Sequence, residues 1–218
     1  MSDATEAPAA SPDASPWEPP LAGSEVEHVL ASLDRLRTTF RWKADDLTLE
    51  ALHARTGASA LSFASLLKHL ACVEDEKTGM ALSGASYGPP WAGMAGYEGS
   101  PQEYAFDPGA LSAAELYALW DDAVRRSHDR LATALADGGL DQRVAMGADD
   151  GLVVSLRRLL HDLIEEYGRH TGHADLLREA IDGRVGEDPP EGWHATSGSS
   201  PVGCRTPASM DPARTPTS

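Results

Sequence analysis

The chain has 218 residues, 34 of them acidic and 18 basic, for a formal charge of −16, and only two cysteines. That length permits one domain of ordinary size or two small ones around a real core. The charge argues against a nucleic-acid binder, which usually carries a basic patch, and against docking on an anionic membrane.

Cys72 and Cys204 make no disulfide framework and fit a reducing compartment. No run of apolar residues approaches the length of a membrane-spanning helix. The acidic start, MSDATEAPAASPD, lacks the apolar stretch of a signal peptide. The expectation is a soluble, cytoplasmic protein.

Proline marks the boundaries. Five of the 15 prolines fall in residues 1–21 and six in 184–218. Both ends are rich in Ser, Ala, Gly and Thr and too poor in apolar residues to offset the entropy of ordering. They read as a disordered N-terminal tail (1–21) and a disordered C-terminal tail (184–218), with Trp17 and Trp193 placed to touch the core at its edges. The tails take −4 and −1 of the charge and leave −11 on residues 22–183.

The intervening residues have helical periodicity. From Ser24 to about Asp45, Val26, Val29, Leu30, Leu33, Leu36 and Phe40 recur at three- and four-residue steps. Ser24 with Glu27 three residues on makes a capping-box start. A short helix is expected from Thr48 through His53. The second long segment, from about Ala60 to Leu82, carries Leu61, Leu66, Leu67, Leu70 and Val73 before turning polar at Glu74. Residues 83–110 are glycine-rich, hold the four remaining prolines and read as one long loop. Loops of that length in a compact domain are commonly functional.

The third long helix starts near Ser112, with Glu115 three residues later, and runs to about Asp137 on Leu116, Leu119, Trp120, Ala123, Leu131 and Leu135. Gln142, Val144 and Met146, or Leu152–Val154, make a weak strand candidate. The fourth runs from about Ser155 to Asp182 on Leu156, Leu159, Leu160, Leu163, Ile164, Tyr167, Leu176 and Leu177, and Gly183 ends it. The expected fold class is all-α, an up-down four-helix bundle with long inter-helix loops.

Three polar residues interrupt the apolar stripes. Glu166 and His170 sit one turn apart on a face otherwise made of Leu159, Leu163, Ala174 and Leu177, close enough to share a cation. His69 lies among Leu66, Leu70 and Val73 on the second segment. Two histidines and one carboxylate with an open position suit a catalytic zinc or a non-haem iron. The same residues also read as a helix-surface pair and a satisfied core histidine.

At these residues the sequence resembles the DinB-like superfamily of four-helix metalloproteins, in its actinobacterial branch. Two stretches carry the resemblance: TGASALSFASLLKHLACVE (56–74) and VSLRRLLHDLIEEYGRHTGHADLLREAIDG (154–183). It covers about 25–183; FRWKADDL (40–47) fits more loosely, and neither tail takes part. The resemblance implies a divalent metal held by His69, Glu166 and His170. Zinc is the first choice, with nickel, iron or manganese as alternatives. Two departures bear on the pocket rim: the histidine expected at Asp162 stands one place earlier, at His161, and the aromatic expected near Lys77 or Thr78 is missing.

Around that site, His173 is a candidate to orient a ligand. Asp175 and Arg178 read as a helix-face salt bridge, and Glu74 either reaches the site or braces a helix contact. Cys72 reads as a small core residue. His28, His53, His128 and His194 read as solvated, and Arg169 as exposed or anion-binding.

Relatives of this kind include S-transferases that use mycothiol or bacillithiol and a mycothiol-dependent isomerase. The resemblance therefore implies a metal-dependent mycothiol S-transferase whose thiolate attacks a small electrophile. The alternatives are a non-catalytic metal-binding stress protein and a metal-assisted hydrolase on the same scaffold. The expected partners are a small-molecule thiol and an electrophile, with no nucleic acid and no membrane; a homodimer is the one assembly left open. The Ala-, Gly-, Arg- and Asp-rich composition resembles that of a high-GC actinobacterium.

Overall fold

Every α-helix among residues 17–196, the residues that the computed structural model describes, begins on a hydroxyl cap. Ser24 starts α1 (Glu25–Ala44), Thr48 starts α2 (Leu49–His53) and Ser62 starts α3 (Phe63–Asp75). Ser100 starts α4 (Pro101–Phe106), Ser112 starts α5 (Ala113–Gly138) and Ser155 starts α6 (Leu156–Asp182). Each hydroxyl accepts a backbone N–H that the helix cannot satisfy by itself, worth about 1 kcal/mol per cap. Glu27, Glu103 and Glu115 return the bond to complete capping boxes. At the far end of α6, Gly183 adopts φ +79°, the left-handed closure that glycine allows without strain.

α1 packs chiefly on α6, and α3 on α5. The core between them is formed by Leu33, Phe40, Leu66, Leu67, Leu70, Leu116, Trp120, Leu131, Leu160, Leu163, Tyr167 and Leu177, all buried. Each such side chain contributes about 1.5–3 kcal/mol through removal from water. The fold is an all-α bundle, as expected. No helix among the described residues is long and apolar enough to cross a membrane.

Several local expectations are corrected. The second long segment is not one α-helix to Leu82: after Asp75 it continues as a π-helical turn, Glu76–Ala81. The 83–110 connection is not a featureless loop, because it contains a 3₁₀ turn, Trp91–Gly96, and α4. The strand candidate forms no ladder. Arg143 and Ser155 make an isolated bridge, while Ala145 and Met146 donate backbone N–H groups to Leu82 and Ala81. Leu176, counted in the apolar stripe of α6, is exposed.

Asp175 and Arg178 do not pair. Arg178 turns to Asp182 at 2.8 Å, and Asp175 takes Lys43 at 2.8 Å. The cause is burial: Arg178 lies under the end of α1, where Nη1 donates to the carbonyls of Lys43 and Asp45. His128 is not free in solvent; its Nε2 lies 3.1 Å from Asp34 and 3.2 Å from Arg37. Glu74 does not reach the candidate site, because it is fully buried against Arg37.

The chain does not leave the bundle at residue 184. Arg184 Nη1 donates to the Trp42 carbonyl, Thr39 Oγ1 to the Glu187 carbonyl, and Trp193 Nε1 and Thr196 Oγ1 to Asp45. Cys204 and the rest of both tails lie outside the described residues.

Candidate metal centre

His69 is fixed by the middle of α3, where its neighbours Leu66, Leu67, Leu70 and Val73 are all buried. Glu166 and His170 are fixed by α6, one turn apart, with Leu163, Tyr167 and Ala174 anchoring the same stretch in the core. The packing of α3 near α6 brings the two elements together. Glu166 Oε2 lies 3.4 Å from His69 Nε2 and 3.5 Å from His170 Nε2, and ligand atoms of all three residues fall within 4.8 Å of one another.

Burial lowers the pKa of both histidines to about 4, so both rings are neutral at neutral pH and offer lone pairs. Among the described residues, Glu166 pairs with these two rings and with no arginine or lysine. The carboxylate charge therefore faces two neutral imidazoles, an arrangement that a cation would complete. The two Glu166–histidine distances, 3.4 and 3.5 Å, also fit. Two atoms held by one tetrahedral zinc, at bonds of about 2.0–2.2 Å, stand about 3.3–3.6 Å apart.

The surroundings of the two histidines differ. His173, half-buried on α6, places Nδ1 3.3 Å from His170 Nδ1. The outer nitrogen of His69, Nδ1, is buried without a hydrogen-bond partner. Its ring instead stacks on Phe106, at 3.9 Å between centroids and 12° between planes.

One side of the triad opens into a cleft of about 320 Å³. Its walls include His69, Glu166, Cys72 and the π-helical residues Glu76 and Lys77, with Tyr87, Met94 and Ala105 contributed by the 83–110 connection. π-Helical turns often occur at functional sites. Here the turn carries both Glu76 and Lys77 to the cleft wall. Burial pushes the Cys72 thiol up to about 12 and holds the Tyr87 phenol above its ordinary range, so both stay protonated.

A family model for mycothiol S-transferases matches residues 28–183. The chain belongs to the mycothiol S-transferase family. The match begins within α1, closes at the glycine that ends α6, and spans both elements of the triad. No curated protein and no solved structure matches the chain. Membership in the mycothiol S-transferase family supports a mycothiol S-transferase-like function and agrees with the sequence resemblance.

Sequence reading named all three triad residues and His173, and the structure brings all four together. Arg169 stands outside the cleft, exposed and paired with Glu165 at 3.1 Å. Phe106 and Tyr87 were missed because the 83–110 segment read as loop. The signal for Phe106 was present: Ser100, Pro101 and Glu103 spell a capped helix start six residues before it.

Proposed function

We propose that this protein is a cytoplasmic mycothiol S-transferase that uses a divalent metal, most simply zinc, held by His69, Glu166 and His170 in the unit spanning residues 22–183. The observation that carries the reading is the isolated donor set: one carboxylate facing two neutral, buried imidazoles at the wall of a cleft, in a chain of this family. A divalent cation bound there would supply Lewis acidity that lowers a thiol's pKa and holds it as the thiolate.

The chain's own residues do the remaining work. His173 faces the outer nitrogen of His170 and restricts that ring's orientation. Cys72 stays a thiol and is no competing nucleophile, so the reactive sulfur is borrowed from the small molecule. Met94, Ala105 and Val73 give the cleft apolar lining for the electrophile, and Glu76 and Lys77 add polar groups to the same wall.

The test combines metal content with conjugation. Wild type, Glu166→Ala and His170→Ala are analysed for bound metal, then incubated with mycothiol and monochlorobimane. The expected result is about one zinc per wild-type chain with fluorescent conjugate, and loss of both in the variants. Equal metal in all three proteins would overturn the metal site. Metal-bound wild type that forms no conjugate with any electrophile offered would favour a metal-binding or hydrolytic protein instead.

A further inference from the structure

A ligating histidine is ordinarily held by a hydrogen bond from its other ring nitrogen, which fixes the tautomer and the plane of the ring. His170 has such a neighbour in His173. His69 has none, for its Nδ1 is buried and unpartnered. The flat face of Phe106 lies against that ring, nearly parallel at 3.9 Å, and the same phenyl reaches His170 at 6.0 Å between centroids.

Phe106 is itself held. Lys68 Nζ donates to the backbone carbonyl of Asp107 at 2.7 Å and lies 3.7 Å from the centre of the Tyr104 ring. Lys68 precedes His69, and Asp107 follows Phe106. Two adjacent residues on α3 are thus clasped to two adjacent residues at the end of α4: one contact is a hydrogen bond and the other a ring stack. Ala105, also buried, seats the short helix on the bundle.

We infer that Phe106 is the positioning residue for His69, a stacking clamp in place of the missing hydrogen bond, and that α4 exists at this point of the chain to deliver it. The inference rests on reading His69, Glu166 and His170 as a metal site. It assigns a role to the 83–110 connection beyond shaping the cleft. Without the clamp, the His69 ring loses its face contact and keeps only the edge of His170, at 4.7 Å between centroids, and Glu166 to set its plane.

The experiment uses the full chain and reads metal rather than turnover. Zinc affinity is measured by chelator competition for wild type, Phe106→Leu, Phe106→Tyr and His69→Ala, with the visible spectrum of the cobalt(II) forms as a second readout. Thermal unfolding of each metal-free protein controls for folding. Phe106→Leu is expected to weaken zinc binding about 10–100-fold and to alter the cobalt bands. Phe106→Tyr, which keeps the flat ring, is expected to stay close to wild type in both. Phe106→Leu that binds as tightly as wild type, or Phe106→Tyr that fails as badly as Phe106→Leu, would overturn the clamp. Wild type without zinc, or His69→Ala with unchanged affinity, would overturn the metal site itself and remove the clamp with it.

Discussion

Arg37 on α1 donates from Nε and Nη2 to the two carboxylate oxygens of Glu74 on α3, at 2.8 and 2.7 Å, with both side chains buried. The pair is the centre of a wider network. Arg37 also reaches Asp34, Ser127 and His128, and Tyr167 on α6 bonds to Glu74 while accepting the Trp120 indole N–H at 3.0 Å. All four long helices contribute a member. A buried ion pair of this kind adds little net stability over an apolar pair, but losing one partner strands the other charge in the core.

Glu74→Ala is therefore expected to cost about 3–5 kcal/mol in urea unfolding. The double variant Arg37→Met, Glu74→Leu is expected to recover much of that loss. A single variant that unfolds like wild type would mean that water or Asp34 already satisfies the arginine.

The two buried histidines make the metal-free protein acid-sensitive. Their pKa of about 4 lies below the ordinary histidine value of 6.5, because burial disfavours the charged ring. Between those values the unfolded chain binds protons that the folded one does not. Their stabilising effect is complete above pH 6.5 and is lost as pH falls toward 4, by about 3 kcal/mol per histidine. Urea unfolding of chelator-treated protein at pH 7, 5.5 and 4.5 checks this. His170→Leu should flatten the slope in that window, and an unchanged slope would assign it to other groups.

Arg178 is expected to resist conservative replacement. Its guanidinium donates to two backbone carbonyls at the end of α1 and pairs with Asp182 while fully buried. Lysine has one donor centre and cannot reach all three. Arg178→Lys should lower stability by about 1–3 kcal/mol, the cost of leaving a buried carbonyl unsatisfied. A melting temperature equal to wild type would show that the carbonyls find other donors.

The segment after the π-helical turn is anchored by Trp91, whose Nε1 donates to Asp75 at 2.8 Å. Asp75 keeps Arg126 and Arg130 if that bond is removed. Trp91→Phe is then expected to cost about 1.5–3 kcal/mol, as for a hydrogen bond to a charged group. Because Tyr87 and Met94 flank this anchor in the cleft wall, KM for the electrophile should rise with kcat little changed. A fall in kcat alone would place the anchor's effect elsewhere.

The long helices were legible because their signals are local. Ser24–Glu27, Ser112–Glu115 and Gly183 state where helices start and stop, and leucine spacing states which face is inward. His69, Glu166 and His170 were legible for a related reason: each breaks an apolar stripe, and a break needs a cause. The missed features depend on the third dimension. Arg178 choosing Asp182 over Asp175 follows from where α1 ends, which no spacing on α6 reveals. His128 gains its neighbours only because α5 lies near Arg37 of α1. The contacts of residues 184–196 with Asp45 join a proline-rich stretch to a helix about 150 positions earlier, and composition carries no such pairing.

The triad straddles a seam. His69 belongs to the α3–α5 pair and Glu166 with His170 to the α1–α6 pair, and Glu166 stands 97 positions after His69. Neither half of the bundle holds all three donors by itself: a fragment with α6 alone keeps the Glu166–His170 pair and lacks the third donor from α3. The complete three-donor set is thus a report on assembly: it exists only where the two halves meet in register.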